Sequence, residues 1–130
     1  MNTNNTSRLI KRAEKLSDGE KYQEAIDLLL DKPSKKDKQN PDYWLLLSSG
    51  LISLNDHSFE GLNTDQLIDY FTKAITIYEE DINRFKSFTK NIDWVKNSLV
   101  TCFAYNGLNG IDQRNKKLIE TNKKLIIDHM

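Results

Sequence analysis

With 130 residues the chain is long enough to form one domain with its own buried core. Lys plus Arg and Asp plus Glu both number 19, so no global field draws the chain toward nucleic acid or an anionic membrane. Hydrophobic residues at 38% and charged residues at 29% suit surface-rich helices with one apolar stripe each, and disfavour buried parallel strands.

Residues 1–6 are polar and read as a flexible N-terminus, with no apolar core of a secretory signal. The domain then runs over 7–130. Its first helix carries Leu9, Ile10, Ala13 and Leu16 on one face and stops near Ser17-Asp18-Gly19. Ser17 and Glu20 are spaced as a capping box, which predicts that a second helix opens there. That helix has Tyr22, Ala25, Ile26, Leu29 and Leu30 at helical spacing and ends at Pro33. The stretch from Ser34 to Gln39, rich in lysine, reads as a solvated connector.

Asn40-Pro41 is a strong helix start, an N-cap followed by proline in the first turn. The helix it opens, to about Leu54, is apolar nearly all round and is expected to lie between neighbours. Ser48, Ser49 and Gly50 interrupt that apolar stretch, which is too short to span a bilayer. A loop over 55–63 follows. Asn63 or Thr64 caps a fourth helix, where Leu67, Phe71, Ala74, Tyr78, Ile82, Phe85 and Phe88 recur every three or four residues. This period predicts an unusually long helix of roughly seven turns. A fifth helix follows with Trp94 (or Ile92), Val95, Leu99 and Phe103 on its stripe. A turn at Asn106-Gly107 and Asn109-Gly110 leads to a last helix from Ile111 to about Asp128, with Leu118, Leu125 and Ile126 among lysines.

The expected architecture is therefore all-α, about six antiparallel helices in three hairpins near 7–31, 41–90 and 91–129. The run Asp18-Gly19-Glu20-Lys21-Tyr22-Gln23-Glu24-Ala25-Ile26 resembles the centre of a tetratricopeptide repeat. Asn40-Pro41 followed by Trp44 and Leu47 resembles the proline that closes one such repeat and the Trp-x-x-Leu that opens the next. Leu67, Phe71 and Ala74 match the second helix, with leucine in place of the first alanine and a loop enlarged by about seven residues. Trp94 opens a third, weaker unit with Ser98 at the small position.

The resemblance is fair over 9–31 and 40–79 and poor beyond. It implies a short right-handed helical stack in which Tyr22, Ala25, Trp44, Leu47, Phe71, Ala74 and Trp94 pack the repeats. It also implies a protein partner. Repeats of this family that grip an acidic C-terminus use Lys, Arg and Asn on the first helix of each unit. Here those stretches carry Ile10 and Glu14, Leu45 and Ser49, Val95 and Leu99, and only Lys96 has that character. A carboxylate clamp is accordingly not expected.

Chemistry is sparse. His57, His129 and Cys102 are the only His and Cys residues, and none sits at ligand spacing from another, so no metal and no cofactor is expected. Cys102 stands alone, which rules out an internal disulfide and reads as a buried filler. No Ser or Cys lies in a nucleophile motif, and the acidic run Glu79-Glu80-Asp81 points in several directions on a helix. No enzyme activity is expected, and a cytoplasmic location is.

Three functions compete. The first is an adaptor that docks a protein partner on a helical groove or on its irregular C-terminal half. Tyr43 and Tyr70, off the main apolar stripes, and Lys96 are its candidate contacts. The second is a small stoichiometric inhibitor or immunity-type protein that neutralises an enzyme or toxin. The third is a nucleic-acid-associated regulator using Lys116, Lys117, Lys123 and Lys124, with Lys35, Lys36 and Lys38 as a further basic run. Zero net charge and the lack of interleaved exposed aromatics disfavour the third. No membrane association is expected, and homodimerisation stays open.

Overall fold

The computed structural model describes residues 7–106, and every regular element among them is helical. Helix α1 covers Arg8–Asp18, α2 Tyr22–Leu30, α3 the single turn Lys35–Lys38, α4 Pro41–Leu54, α5 Thr64–Glu80 and α6 Thr89–Asn106. A 3-10 turn at Lys86–Phe88 leads into α6. The polar segment 1–6, the glycine turn over 107–110 and the last expected helix over 111–128 lie outside the described residues. The all-α expectation holds. Among the described residues no helix is long and apolar enough to cross a membrane.

The long helices pack in chain order, α1 on α2, α2 on α4, α4 on α5 and α5 on α6, while α1 also reaches α4. As its all-round apolar pattern requires, α4 is enclosed, with Tyr43, Trp44, Leu46, Leu47, Ser48 and Ile52 buried. Ser48 satisfies its buried hydroxyl by donating to the Trp44 carbonyl at 2.7 Å. At Gly50 the helices α2 and α4 approach so closely that a Cβ would stand 3.0 Å from Ile26 Cγ1. Ala25 is the small residue beside Ile26 on α2, and both are buried. A single core results, running from Ile10 and Ala13 through Leu47, Phe71 and Ala74 to Leu99 and Phe103.

Three local expectations are corrected. The Ser17–Glu20 capping box does not form, because α1 continues to Asp18 and keeps Ser17 in its last turn. The Ser17 hydroxyl is buried with no hydrogen-bond partner. Glu20 instead takes the left-handed backbone at φ 62°, and the next amide, Lys21 N–H, closes back on the Leu16 carbonyl at 2.8 Å. That is the glycine position of a helix C-terminus, held by glutamate one residue after the actual glycine, Gly19, whose φ is −88°.

The connector after Pro33 is the second correction, since it contains α3. Ser34 and Asp37 form a complete capping box, Asp37 N–H to Ser34 Oγ at 3.0 Å and Ser34 N–H to Asp37 Oδ2 at 2.9 Å. Burial pushes the Asp37 carboxyl upward. Hydrogen bonds from the Ser7 hydroxyl, the Ser34 amide and the Ser34 hydroxyl outweigh it, and the net shift is below the ordinary value. Ser7 is also the N-cap of α1, accepting from Ile10 N–H at 3.1 Å. One carboxylate therefore ties together the starts of α1 and α3.

Third, α5 does not run on through Phe88. It stops at Glu80, where Asp81 leaves helical geometry at φ −151°, ψ 75° and its carboxylate accepts the Arg84 amide at 3.1 Å. Phe85 and Phe88 keep the helical spacing but enter the core from a turn, and Ile82, expected on the stripe, is exposed. The Tyr78 ring lies 5.4 Å from that of Phe88, and its hydroxyl shares a 2.8 Å hydrogen bond with Thr89 Oγ1. Helix α6 consequently begins at Thr89.

Glu20→Gly removes the steric cost of a left-handed non-glycine residue, less the entropy that glycine adds to the unfolded chain. It raises the unfolding free energy by about 0.5–1 kcal/mol, read as a higher denaturant midpoint at constant slope. Asp37, with its folded pKa lowered, contributes stability that is present above its unfolded value, about 3.9, and is lost as pH falls through the folded one. Asp37→Ala lowers stability at pH 7 by about 1 kcal/mol, and the gap from wild type narrows in urea titrations carried down to strongly acidic pH.

Candidate protein-docking surface

On α6, Val95, Leu99, Cys102 and Phe103 are buried and fix which side meets α5. Trp94, Ser98, Thr101 and Tyr105 recur at helical spacing along one flank of that buried side. Ser98 is buried, but Trp94 keeps 43% and Tyr105 55% of its surface in solvent. Both rings are held from below. Trp94 meets Phe71 of α5 edge-on, centroids 5.8 Å apart. Tyr105 stacks on Phe59 at 6.1 Å with 27° between the ring planes.

Phe59 reaches this position because the 55–63 loop is built to present it. Asn55 donates to the carbonyls of Ser58 at 2.8 Å and Glu60 at 2.7 Å, and Asp56 and His57 both take left-handed backbone. The 55–63 loop thus forms a platform under the end of α6. Leu54, the residue that closes α4 just before this loop, is 47% exposed. Exposed aromatics supported by packed aromatics have little rotamer freedom to lose on contact, a property of residues that anchor protein interfaces.

The residues expected to contact a partner are placed differently. Tyr43 is corrected from surface to core, at 1% exposure, with its hydroxyl donating to the Leu29 carbonyl at 2.7 Å. Burial first, then the neighbouring Tyr70 and Asp37, push its phenol up to about 12, so it stays a donor at neutral pH. Tyr70 is half-buried. Its ring lies 5.5 Å from Trp44, and its hydroxyl accepts from Gln66 Nε2 at 3.1 Å. Trp44 therefore stands between Tyr43, edge-on at 4.9 Å, and Tyr70, with the Lys73 ammonium 4.6 Å from its ring centroid. Burial, with the Asp69 carboxylate adding to it, raises the Tyr70 phenol above its usual value against the pull of Gln66 and Lys73.

Lys96 does not join these tyrosines. It lies on α6 with its Nζ 4.0 Å from the Glu79 carboxylate, a pair open enough to solvent to add little stability. Of the residues expected to pack repeats, Ala25, Trp44, Leu47, Phe71 and Ala74 are buried, and Tyr22 is half-buried. Trp94 packs edge-on against Phe71 and yet keeps 43% of its surface in solvent, unlike the enclosed Tyr43.

Cys102 is fully buried, and burial pushes its thiol up to about 12, so it remains protonated and unreactive at neutral pH. His57 is exposed in its loop. Among the described residues no three His, Cys, Asp or Glu side chains are grouped to hold a metal ion. Asp42 is raised by burial, and Glu14 is raised by desolvation first and then by Asp42 and Asp18, against Lys11. Among the described residues, a depression of about 380 Å³ lies at the α1–α2 turn, and another, of about 240 Å³, lies between Gln39 and the α5 end at Ile77, Glu80 and Phe85.

Comparison with protein-family models, with curated proteins and with solved structures returned no match.

Tyr43→Phe leaves the Leu29 carbonyl, at the end of α2, without its donor in a buried place. The expected loss is about 1–2 kcal/mol in chemical denaturation, with the native far-ultraviolet spectrum retained.

Proposed function

We propose that the chain is a non-catalytic protein-interaction module, and that the Trp94–Tyr105 flank of α6 is its principal contact surface. The observation that carries this reading is the pair of large aromatic rings, each half in solvent and each braced by a second aromatic. Holding a Trp and a Tyr in water costs a fold that has other uses for them, and a partner that desolvates both recovers that cost. The tetratricopeptide-like spacing over 9–79 supports the same class of function, because such hairpins serve as rigid frames for docking. In this reading the recognisable hairpins act as the frame, while α6, beyond the better-matching stretches, provides the contact with Phe59 of the 55–63 loop beneath it.

The test is quantitative capture. A partner recovered with the wild-type chain is purified and titrated against the double variant Trp94→Ala with Tyr105→Ala by isothermal calorimetry. Affinity falls by more than about thirtyfold, as expected for paired aromatic anchors, whereas Tyr70→Ala shifts it less than about threefold. Unchanged affinity of a folded double variant removes this surface from the proposal. Assaying the captured partner with and without the chain then separates an adaptor, which leaves its activity intact, from a stoichiometric inhibitor, which abolishes it.

A further inference from the structure

The solvent side of α1, opposite the buried Ile10 and Ala13, carries Arg8, Lys11, Arg12 and Lys15. Their spacing of three and four residues places all four on one side of the helix, and all are exposed. Lys21 adds a fifth cation just beyond the turn, at a helix start with no side-chain cap. None of the five enters an ion pair among the described residues, where the two pairs found use Lys73 and Lys96. Lys15 suits the negative end of the helix dipole and Glu14 offsets Lys11, but like charges at these spacings repel and Arg8 faces the positive end.

Where α1 turns into α2, Arg12, Lys15 and Lys21 surround the depression of about 380 Å³, and Leu16 and Gly19 complete its lining. Leu16 is half-buried and packs against the core from above, which gives the depression an apolar floor. Asp18 and Glu20 flank the same turn without lining it.

We propose that this surface docks an acidic segment of a protein partner, with one apolar side chain seated over Leu16 and carboxylates on Arg12, Lys15 and Lys21. The argument is charge complementarity joined to an apolar seat. An unpaired guanidinium and two ammonium groups ring a spot that itself prefers hydrocarbon. Among the described residues no aromatic side chain lines the depression for base stacking, and Asp18 and Glu20 oppose a continuous phosphate backbone. The surface lies on the first helix, apart from Trp94 and Tyr105, and stands independently of the function proposed above.

Fluorescence anisotropy of the full chain with a labelled, end-blocked Glu-Glu-Leu-Glu-Glu peptide tests it. The wild type binds this peptide at least about tenfold more tightly than the double variant Arg12→Glu with Lys15→Glu, and binding weakens with added salt. Replacing the peptide's leucine by serine weakens binding about threefold or more, a fraction of a buried side chain's transfer energy. The proposal is overturned if the peptide does not bind, if the charge-reversed but folded variant binds equally, if the serine peptide matches the leucine one, or if an oligothymidine binds more tightly than either.

Discussion

Two hydrogen bonds from adjacent residues at the start of α4 organise the described fold. Tyr43 donates to the carbonyl of Leu29, in the last turn of α2, and Trp44 donates through its indole to the carbonyl of Lys38, at the end of α3. Carbonyls at helix ends lack intrahelical donors, and in an interior each needs one from elsewhere. Here one turn of one helix supplies both. Asn40 and Pro41 fix where that turn begins, with Asn40 Oδ1 accepting the Asp42 amide at 2.9 Å. A shift of α4 by one residue would rotate Tyr43 and Trp44 away by about 100° and leave both ends unsatisfied. The register of α4 is thereby tied to α2 and α3 together, and its remaining faces receive α1 and α5.

This constraint explains why some of the fold is legible in sequence and some is not. The starts of α4 and α5 announce themselves because Asn40 and Asn63 are local caps, each bonding an amide two or three residues on. Such signals lie in contiguous residues and need no tertiary partner. The break after Glu80 has no comparable local signal. Phe85 and Phe88 satisfy the helical period, and only the closure of Asp81 on Arg84 and the packing of Tyr78 on Phe88 show that the chain turns first. Apolar period reports which residues face the core, not which backbone brings them there. The α3 capping box is local and legible, yet it lies among lysines that make the stretch resemble a connector.

The surface was less legible than the core for a related reason. Distance from an apolar stripe marks a residue as exposed only when its helix has an open side. On α4, enclosed by neighbours, Tyr43 off the Trp44–Leu47 face is buried as deeply as any stripe residue. On α6 the reverse holds, and Trp94, spaced as a packing residue, sits at the margin of the buried arc with its ring partly in water. Tyr70 falls between, because Trp44 covers one side of its ring and leaves the other. The helical wheel gives the angle of each side chain, while the number of neighbours around each helix decides what that angle means.

Zero net charge conceals a further separation. Residues 107–130 hold five Lys or Arg against three Asp or Glu, so residues 7–106 carry a slight acidic excess in which the basic side of α1 is an exception. Whole-chain charge governs long-range attraction over about a Debye length, roughly 8–10 Å, but contact is decided by the few groups within that distance. An average of zero therefore argues against a polyanion that must track the whole surface, and not against a short acidic segment that meets α1 alone. The apolar flank of α6 presents the opposite chemistry at the other end of the packing order, with Phe59 and Phe71 bracing its rings. A chain of helices packed in sequence separates the first and last of its described members, so the basic side of α1 and the aromatic flank of α6 stand apart on the fold.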